Sequence, residues 1–291
     1  MIINYIELLK NNPQYFKQFS CKELLFLNYD CPVKENRLTI WSEHNYFYYV
    51  ISGKKNLHAN GRVWELQQGS FIFVKKGACL IEQFFREPFC IVVFVVPDTF
   101  ISQYITLYKN ELPAPTDKVS DALVLPLAFD DVLQNFCNSI MGFFTASVKP
   151  SESLIELKFL ELLLNLSSNA SNSEFVTYLH QVANRQASSI ESIMEANFSF
   201  KLELEDYAKL CNRSLSSFKR DFSALYQCPP GKWLLEKRLQ HAGKLLSTTN
   251  KSLADVIFES GFENHAHFTR VFKNKFGLSP LQYKKQHHLA L

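Results

Sequence analysis

Residues 252–280, SLADVIFESGFENHAHFTRVFKNKFGLSP, indicate how the carboxyl-terminal part of the chain folds. Gly261 divides the stretch into two segments, and glycine accepts the left-handed backbone of a tight turn. Asn264 is a favoured N-cap residue for the second segment, in which Phe268 and Phe272 recur at helical spacing. The stretch therefore predicts a helix, a tight turn and a second helix.

A weaker copy of the same pattern precedes it. Residues 204–212, LEDYAKLCN, align with residues 253–261 at an offset of 49, and residues 218–222, FKRDF, align with residues 268–272 at an offset of 50. The connection in the first copy is thus one residue shorter. Three further residues of the first copy have counterparts in the second: Tyr226 with Phe276, Pro230 with Pro280, and Trp233 with Tyr283. Two matched copies predict two helix-turn-helix units.

The second helix of each copy has an apolar stripe and a polar face. The predicted buried stripes are Leu215, Phe218, Phe222 and Leu225 in the first copy, and Phe268 and Phe272 in the second. The predicted outward faces are Ser216, Lys219 and Arg220 in the first copy, and His265, Ala266, Thr269, Arg270 and Lys273 in the second. Such faces suit the major groove of DNA, because a helix fits its width and arginine can bind guanine through two hydrogen bonds.

With these residues the chain resembles the AraC/XylS family of bacterial transcription regulators over about residues 187–286. The resemblance implies two helix-turn-helix units joined by a rigid helix, here about residues 230–246, which place two helices in successive segments of the major groove. By position, the implied base-reading residues are Ser216, Lys219, Arg220, His265, His267, Thr269 and Arg270. The implied phosphate contacts are Ser252, Asn264 and Lys273. It also implies a cytoplasmic, homodimeric regulator of the activator type that meets RNA polymerase and needs no cofactor.

Composition and charge agree with this interpretation. Hydrophobic residues make up 47% and charged residues 20% of the chain, which excludes disorder over most of its length. Residues 1–184 have a formal net charge of −3 and residues 185–291 of +6, so an anionic partner is expected for the second part. The longest apolar runs are too short to span a bilayer. The seven scattered cysteines, none in C-x-x-C spacing, indicate reduced thiols.

The first part of the chain predicts strands followed by helices. Short apolar runs alternate with turn signals over residues 21–97, and Asn60-Gly61 is a strong hairpin signal. Helices are expected over 98–110, 130–147 and from Ser151 onward, and the polar stretch 167–173 is predicted to be an exposed linker or loop. The fold class is therefore α+β: a cupin-like barrel or sandwich with a helical appendage over 1–172, and an all-α domain with two helix-turn-helix units over 184–291.

Two features of the first part bear on regulation. The helix that Ser151 opens carries a wide apolar face, which favours burial within the protomer and a dimer interface about equally. A barrel interior could hold a small effector lined by Tyr46, Tyr48, Phe71 and Phe73, although aromatic side chains more commonly fill such a core. Lys75-Lys76 is predicted to be a solvated turn, with contact to an anionic effector or partner as the alternative. Residues 71–77 resemble the subfamily of type III secretion activators, in which the effector is a protein or a small molecule.

Two other classes of function compete with a regulator. A metal-dependent cupin enzyme with an accessory helical domain would need several metal ligands, which only His44 and His58 with Glu43, Glu65 or Glu82 could supply; no H-x-H pair occurs in this part of the chain. A protein-interaction module with secondary DNA binding is the other alternative. Neither a nucleophile elbow, a phosphate loop nor a dinucleotide fingerprint occurs in the sequence, so we expect no enzyme and no catalytic metal.

Overall fold

The computed structural model describes residues 2–12, 16–30, 35–84, 88–116 and 120–288. The chain forms two compact units, Met1–Ser192 and Ile193–Leu291. The predicted domains, 1–172 and 184–291, left residues 173–183 between them, whereas Phe175, Tyr178 and Leu179 lie in the core of the first unit. No helix within the described ranges is long and apolar enough to cross a membrane.

The first unit contains two β-sheets. The five-stranded sheet has the order β1-β4-β9-β6-β7, and the six-stranded sheet has the order β11-β8-β5-β10-β3-β2. Apart from the parallel pair β1 and β4, neighbouring strands are antiparallel. The strands are β1 Ile2–Asn4, β2 Phe16–Cys21, β3 Leu24–Asp30, β4 Arg37–Ser42, β5 Asn45–Ser52, β6 Lys55–Ala59, β7 Arg62–Leu66, β8 Phe71–Val74, β9 Gly77–Gln83, β10 Cys90–Val96 and β11 Val124–Pro126.

The predicted strands and the hairpin are confirmed. Asn60 and Gly61 have φ angles of 51° and 73°, as a two-residue hairpin turn requires, and join β6 to β7. Strands β1, β2, β4 and β11 were not predicted, because β1 and β11 have only three residues each and polar residues interrupt the apolar residues of β2 and β4. Their pairing with longer strands supplies the backbone partners that their own sequences do not signal.

Twelve helices follow or precede these strands in the described residues. They are α1 Tyr5–Lys10, α2 Asp98–Leu107, α3 Asp131–Thr145, α4 Glu152–Ser168, α5 Ser173–Ala183, α6 Ile190–Asn197, α7 Leu204–Leu210, α8 Leu215–Tyr226, α9 Pro230–Thr248, α10 Leu253–Glu259, α11 His265–Phe276 and α12 Pro280–His288. Helices α2 to α5 cover the outer face of the six-stranded sheet, where Phe47, Phe73 and Phe94 join one apolar core with Phe159 and Phe175. The predicted α+β class, with strands first and a helical unit last, is confirmed.

The apolar surface of helix α4 is partly buried within the protomer and partly exposed. Ile155, Phe159 and Leu163 are buried in the protomer, whereas Leu154 and Leu157 are 36% and 60% exposed. The wide apolar face is therefore divided: one side completes the core of the first unit, and the other remains at the surface of the protomer.

One prediction for the first unit holds in part and another is wrong. Residues 167–173 are for the most part exposed, as predicted for a loop, but they do not link two domains: α4 runs to Ser168, a 3₁₀ turn covers Ala170–Asn172, and Asn172 is buried with its side chain bonded to Ala128 N and Leu166 O. Lys75-Lys76 is not a solvated turn, because Lys76 is 4% exposed. In both cases distant parts of the chain supply partners that the local polar composition does not reveal.

Candidate nucleic-acid interface

The second unit contains two helix-turn-helix units of matched geometry. Helices α7 and α8 form the first, and α10 and α11 form the second. Asn212 and Gly261 lie in the two turns with φ angles of 53° and 78°, so the predicted left-handed positions are confirmed. The connection spans residues 211–214 in the first unit and 260–264 in the second, which is the predicted difference of one residue.

The second helix of each unit is fixed at both ends. The Oγ of Ser214 accepts a hydrogen bond from Ser217 N at 3.3 Å, and the Oδ1 of Asn264 accepts one from His267 N at 2.8 Å. Both predicted N-caps are confirmed. Gln227 and Gly277 end the helices in the left-handed conformation. Helices α8 and α11 therefore begin and end 50 residues apart, and their faces can be compared position by position.

The same aromatic cluster holds each of these helices. The rings of Phe222 and Tyr226 on α8 are 4.6 Å apart, and Trp233 on α9 lies 5.4 Å from Tyr226. In the second unit Phe272 and Phe276 are 4.4 Å apart, and Tyr283 on α12 lies 5.0 Å from Phe276. The aligned positions therefore make aligned contacts. The prediction that Leu225 is buried is wrong: it is 45% exposed, because Phe218 and Phe222 alone carry the buried stripe of α8.

Helix α9 joins the units over 19 residues, close to the predicted rigid helix. Its Arg238 donates to Phe198 O and Phe200 O, both at 2.7 Å. The segment that leads from α6 to α7 is thus bonded to the joining helix. Tyr207 of α7 adds a hydrogen bond from its hydroxyl to Asn197 O at 2.9 Å. These contacts anchor the helices that support α8.

The predicted base-reading residues of α8 share one exposed face. Ser216, Lys219 and Arg220 are all exposed. The guanidinium of Arg220 is 74% exposed and bonds to the adjacent Asp221, with 3.0 Å between Nη2 and Oδ1. Asp221 Oδ2 also accepts a hydrogen bond from Arg213 Nε, at 3.3 Å. This carboxylate between two arginines was not predicted, although an acidic residue directly after a predicted base-reading arginine is a signal for it.

Helix α11 presents His265, His267 and Arg270 on its exposed side. Thr269 differs from them: it is half-buried, and its Oγ1 is buried without a hydrogen-bond partner among the described residues. Its hydroxyl thus faces the interior rather than the outward face. Burying a hydroxyl without a partner is unfavourable.

The three predicted phosphate contacts are exposed, and two of them already serve as helix caps. Ser252 accepts from Asp255 N at 3.1 Å, and Asn264 caps α11 as described. Lys273 lies one turn before the end of α11. A side chain that caps a helix end orders the backbone N–H groups around it, so both roles are compatible.

The four residues predicted to line an effector pocket do not share one cavity. Tyr46 and Tyr48 of β5 contact Tyr5, their ring centroids 5.4 and 6.2 Å from its ring, on the face towards the five-stranded sheet. Phe71 and Phe73 of β8 face the other way, into the core formed with the helices. The cavity between the sheets, lined in part by Tyr48, measures about 10 Å³, which is room for about one water molecule.

Of the residues considered for a metal, His58 and Glu82 lie in contact. His58 Nε2 lies 3.1 Å from Glu82 Oε2, and Glu82 also accepts from Arg37, whose hydrogen bond holds the pKa of this carboxyl below its usual value. No group of three histidine, cysteine, aspartate or glutamate side chains that could hold a metal occurs among the described residues. His58 and Glu82 form a hydrogen-bonded pair on the sheet.

Comparison with known proteins gives two family models along the chain. A model described as the ExsA N-terminal regulatory domain matches residues 45–178, and a model described as a helix-turn-helix domain matches residues 207–286. The first lies in the strand-rich unit, and the second covers both helix-turn-helix units from within α7 to within α12.

Two relatives match over most of their length. The thermoregulatory protein LcrF of Yersinia pestis is 25% identical over 236 residues, 81% of this chain and 87% of the relative. The virulence regulon transcriptional activator VirF of Yersinia enterocolitica is 24% identical over the same shares of both chains. Among solved structures, a single-residue variant of apo ToxT from Vibrio cholerae has 14% identity and a TM-score of 0.44 over 91% of this chain and 98% of that one, too low to support a shared function.

Proposed function

The chain belongs to the AraC family of transcription regulators, and on this premise we propose that it activates transcription from promoters read by α8 and α11. It is a sequence-specific DNA-binding regulator by family. The observation that carries the proposal is the pair of matched, exposed helix faces on one rigid support. Activation is supported by relatives whose names describe transcriptional activators.

Base reading is assigned to side chains that are exposed and can reach a groove. Arg220 and Arg270 occupy equivalent positions, 50 residues apart, on the exposed faces of their helices. Arginine forms two hydrogen bonds with guanine, so each is proposed to read one base pair. The proposed supporting base contacts are Ser216, Lys219, His265, His267 and Thr269. Contact by Thr269 requires its hydroxyl to rotate out of its buried position.

Arg220 and Arg270 differ in the residue that follows them on the helix, which decides whether the arginine has an adjacent carboxylate partner. Arg220 is bonded to Asp221, whereas α11 has Val271 at the equivalent position. An exposed ion pair of this kind is weak, so Arg220 can exchange Asp221 for a base. Asp221 also places a negative charge on the helix, which disfavours close approach to phosphates at other sequences. Lys273, Asn264 and Ser252 are proposed to bind phosphates and set the register of the unit.

We assign dimer formation to the exposed side of α4. Leu154 and Leu157 lie one turn apart on it, and Leu160 and Leu164 continue the stripe in half-buried positions. A helix that keeps an apolar stripe at the surface of a protomer favours a second helix as its cover. A second copy supplies the same stripe, which makes the contact self-complementary.

The effector is proposed to act at the surface of the first unit. A cavity of about 10 Å³ favours a protein partner over a small molecule enclosed between the sheets. Contact with RNA polymerase, a cytoplasmic location and the absence of enzymatic activity are further parts of the proposal, and all three rest on membership of the family.

Capture of genomic DNA tests the proposal. Purified full-length protein is mixed with sheared genomic fragments at near-physiological salt, and the retained fragments are sequenced. We expect a bipartite motif whose two readable segments lie about one helical turn, roughly 10 base pairs, apart. Retention without any shared motif would contradict sequence-specific reading and favour a protein-interaction module with secondary DNA binding.

A further inference from the structure

The first unit contains a buried ion pair far from the DNA-binding helices in sequence. Lys76 Nζ lies 2.6 Å from Asp98 Oδ2, and the side chain of Lys76 is 1% exposed. Lys76 lies between β8 and β9, and Asp98 begins α2. Burying both charges carries a large desolvation penalty, and removal of one partner would leave the other uncompensated. The stability of the first unit therefore depends on both members of the pair.

A network of polar side chains surrounds this pair. Asn45 Nδ2 donates to Asp98 Oδ1 at 2.8 Å, while Asn45 Oδ1 accepts from Lys76 N at 3.1 Å. The hydroxyl of Tyr178 on α5 also donates to Asn45 Oδ1, at 2.8 Å. The network thus connects strand β5 of the six-stranded sheet, the turn before β9, and helices α2 and α5.

The remaining member belongs to the segment that leads towards the DNA-binding helices. Lys76 Nζ donates to Ser188 Oγ at 2.7 Å, and Ser188 Oγ donates to Asp98 Oδ2 at 3.2 Å. Ser188 ends the 3₁₀ turn Gln186–Ser188 and is buried. We name residues 184–189 the connector. Two charge-assisted hydrogen bonds, which are stronger than neutral ones, therefore attach the connector to Lys76 and Asp98.

The next residue, Ser189, makes its hydrogen bond to helix α6. Ser189 Oγ accepts from Ser192 N at 3.1 Å, in the first turn of α6. Helix α6 starts in the first compact unit and continues into the second, which begins at Ile193. Two consecutive serines therefore connect the buried ion pair to the first turn of the helix that enters the DNA-binding unit.

We propose that the pair Ser188 and Ser189 is a coupling element between the regulatory unit and the DNA-binding unit. When Lys76 and Asp98 hold Ser188, the connector is fixed and the start of α6 is ordered. A partner that moves the turn at Lys76 or the start of α2 breaks these bonds, frees Ser188 and loosens α6. The regulatory meaning rests on the proposed function, but the coupling itself is a property of the chain without DNA.

Hydrogen exchange on the full-length protein tests the coupling in both directions, because coupling between two sites is reciprocal. Ser188→Ala removes one hydroxyl and leaves Lys76 and Asp98 paired. We expect amides of α6 to exchange roughly tenfold faster in this variant. Ser189→Ala weakens the cap of α6, and we expect the amide of Lys76, which is bonded to Asn45 Oδ1, to exchange roughly fivefold faster.

The double variant separates coupling from two independent local effects. If Ser188 transmits the change, Ser189→Ala no longer affects the Lys76 amide once Ser188 is alanine. Gln186→Ala is the matched control, since Gln186 is an exposed residue of the same 3₁₀ turn. Wild-type exchange of α6 in Ser188→Ala, or of the Lys76 amide in Ser189→Ala, would overturn the proposal. No DNA enters this experiment, so its failure is distinct from failure of DNA binding.

Discussion

A Cβ placed on Gly261 would lie 2.7 Å from the carbonyl oxygen of Ser199. The same Cβ would lie 3.1 Å from Nε of Arg238, which donates to the carbonyl of Phe198. The turn of the second helix-turn-helix unit thus lies directly against the segment between α6 and α7, within the DNA-binding unit. The glycine is required there for two reasons: its φ of 78° and the absence of space for a side chain.

Substitution of Gly261 by alanine is expected to destabilise the DNA-binding unit strongly. Strain at positive φ costs about 1 kcal/mol for a non-glycine residue, and the backbone contact with Ser199 cannot be relieved by a side-chain rotation. We expect a loss of about 3 kcal/mol in the free energy of unfolding, measured by urea denaturation of the full chain.

Gly277→Ala is the matched control. Gly277 has a φ of 75°, nearly that of Gly261, but a Cβ there would meet no atom within 4 Å. We expect this variant to lose about 1 kcal/mol, the conformational part alone. Equal losses in the two variants would show that the approach to Ser199 has no energetic consequence.

Thr269→Val is expected to stabilise the protein. The valine methyl replaces a hydroxyl that is buried without a partner in the described structure, so a desolvation penalty disappears. We expect about 1 kcal/mol more stability in thermal or urea unfolding. If DNA affinity falls at the same time, the hydroxyl rotates to contact a base; a destabilised variant would mean that the hydroxyl has an unseen partner.

The half-buried side chain of Lys75 predicts a pH dependence of stability. Burial lowers the pKa of Lys75 to about 8, from an ordinary value near 10.5. Between these values the unfolded chain binds the proton and the folded chain does not, so stability rises with pH across this interval. Below pH 8 the folded chain carries the charged Lys75, so the full desolvation penalty reduces the free energy of unfolding.

Comparison with Lys75→Met isolates this effect from other groups that titrate at high pH. From about pH 7.5 to about pH 9.5 we expect the stability of the wild type to gain on the order of 1 kcal/mol relative to the variant. The measurement is urea denaturation at the two pH values. A constant difference between the proteins would show that Lys75 keeps its proton as readily when folded as when unfolded.

The exposed stripe of α4 predicts a dimer that charge disrupts. The double substitution Leu154→Glu and Leu157→Glu places two carboxylates on the proposed contact, and we expect a monomer in sedimentation velocity where the wild type is a dimer. Leu107→Glu, at a leucine that is 68% exposed at the end of α2, is the control and should remain dimeric. A dimer in the double variant would place the interface elsewhere.

The repeated part of the fold was predictable because each copy carries its own local signals. Asn212 and Gly261 mark the turns, Ser214 and Asn264 mark the helix starts, and the structure confirms all four. Periodicity also placed Phe218 and Phe222 inside. It placed Leu225 inside as well, wrongly, since periodicity alone does not show where the supporting helices end.

The polar core of the first unit could not be predicted in this way. Lys76 follows another lysine and precedes a glycine, which is typical of a solvated turn, and its partner Asp98 is 22 residues away. Asn172 stands in a run of serines and asparagines that resembles a linker, yet its amide bonds to Leu166 O and Ala128 N. Only the tertiary structure brings these partners together, because polar residues have no periodicity that announces burial.

A specificity profile shows whether α8 and α11 each read bases. Affinities are measured for every single-base variant of a captured site, with the wild type, Arg220→Ala, Arg270→Ala and Lys273→Ala. We expect each arginine variant to lose about 1–3 kcal/mol and its preference at one base pair, the two positions about one helical turn apart. Lys273→Ala should weaken all sequences about equally and reduce the salt dependence. Arginine variants that keep every base preference would show that Arg220 and Arg270 do not read bases.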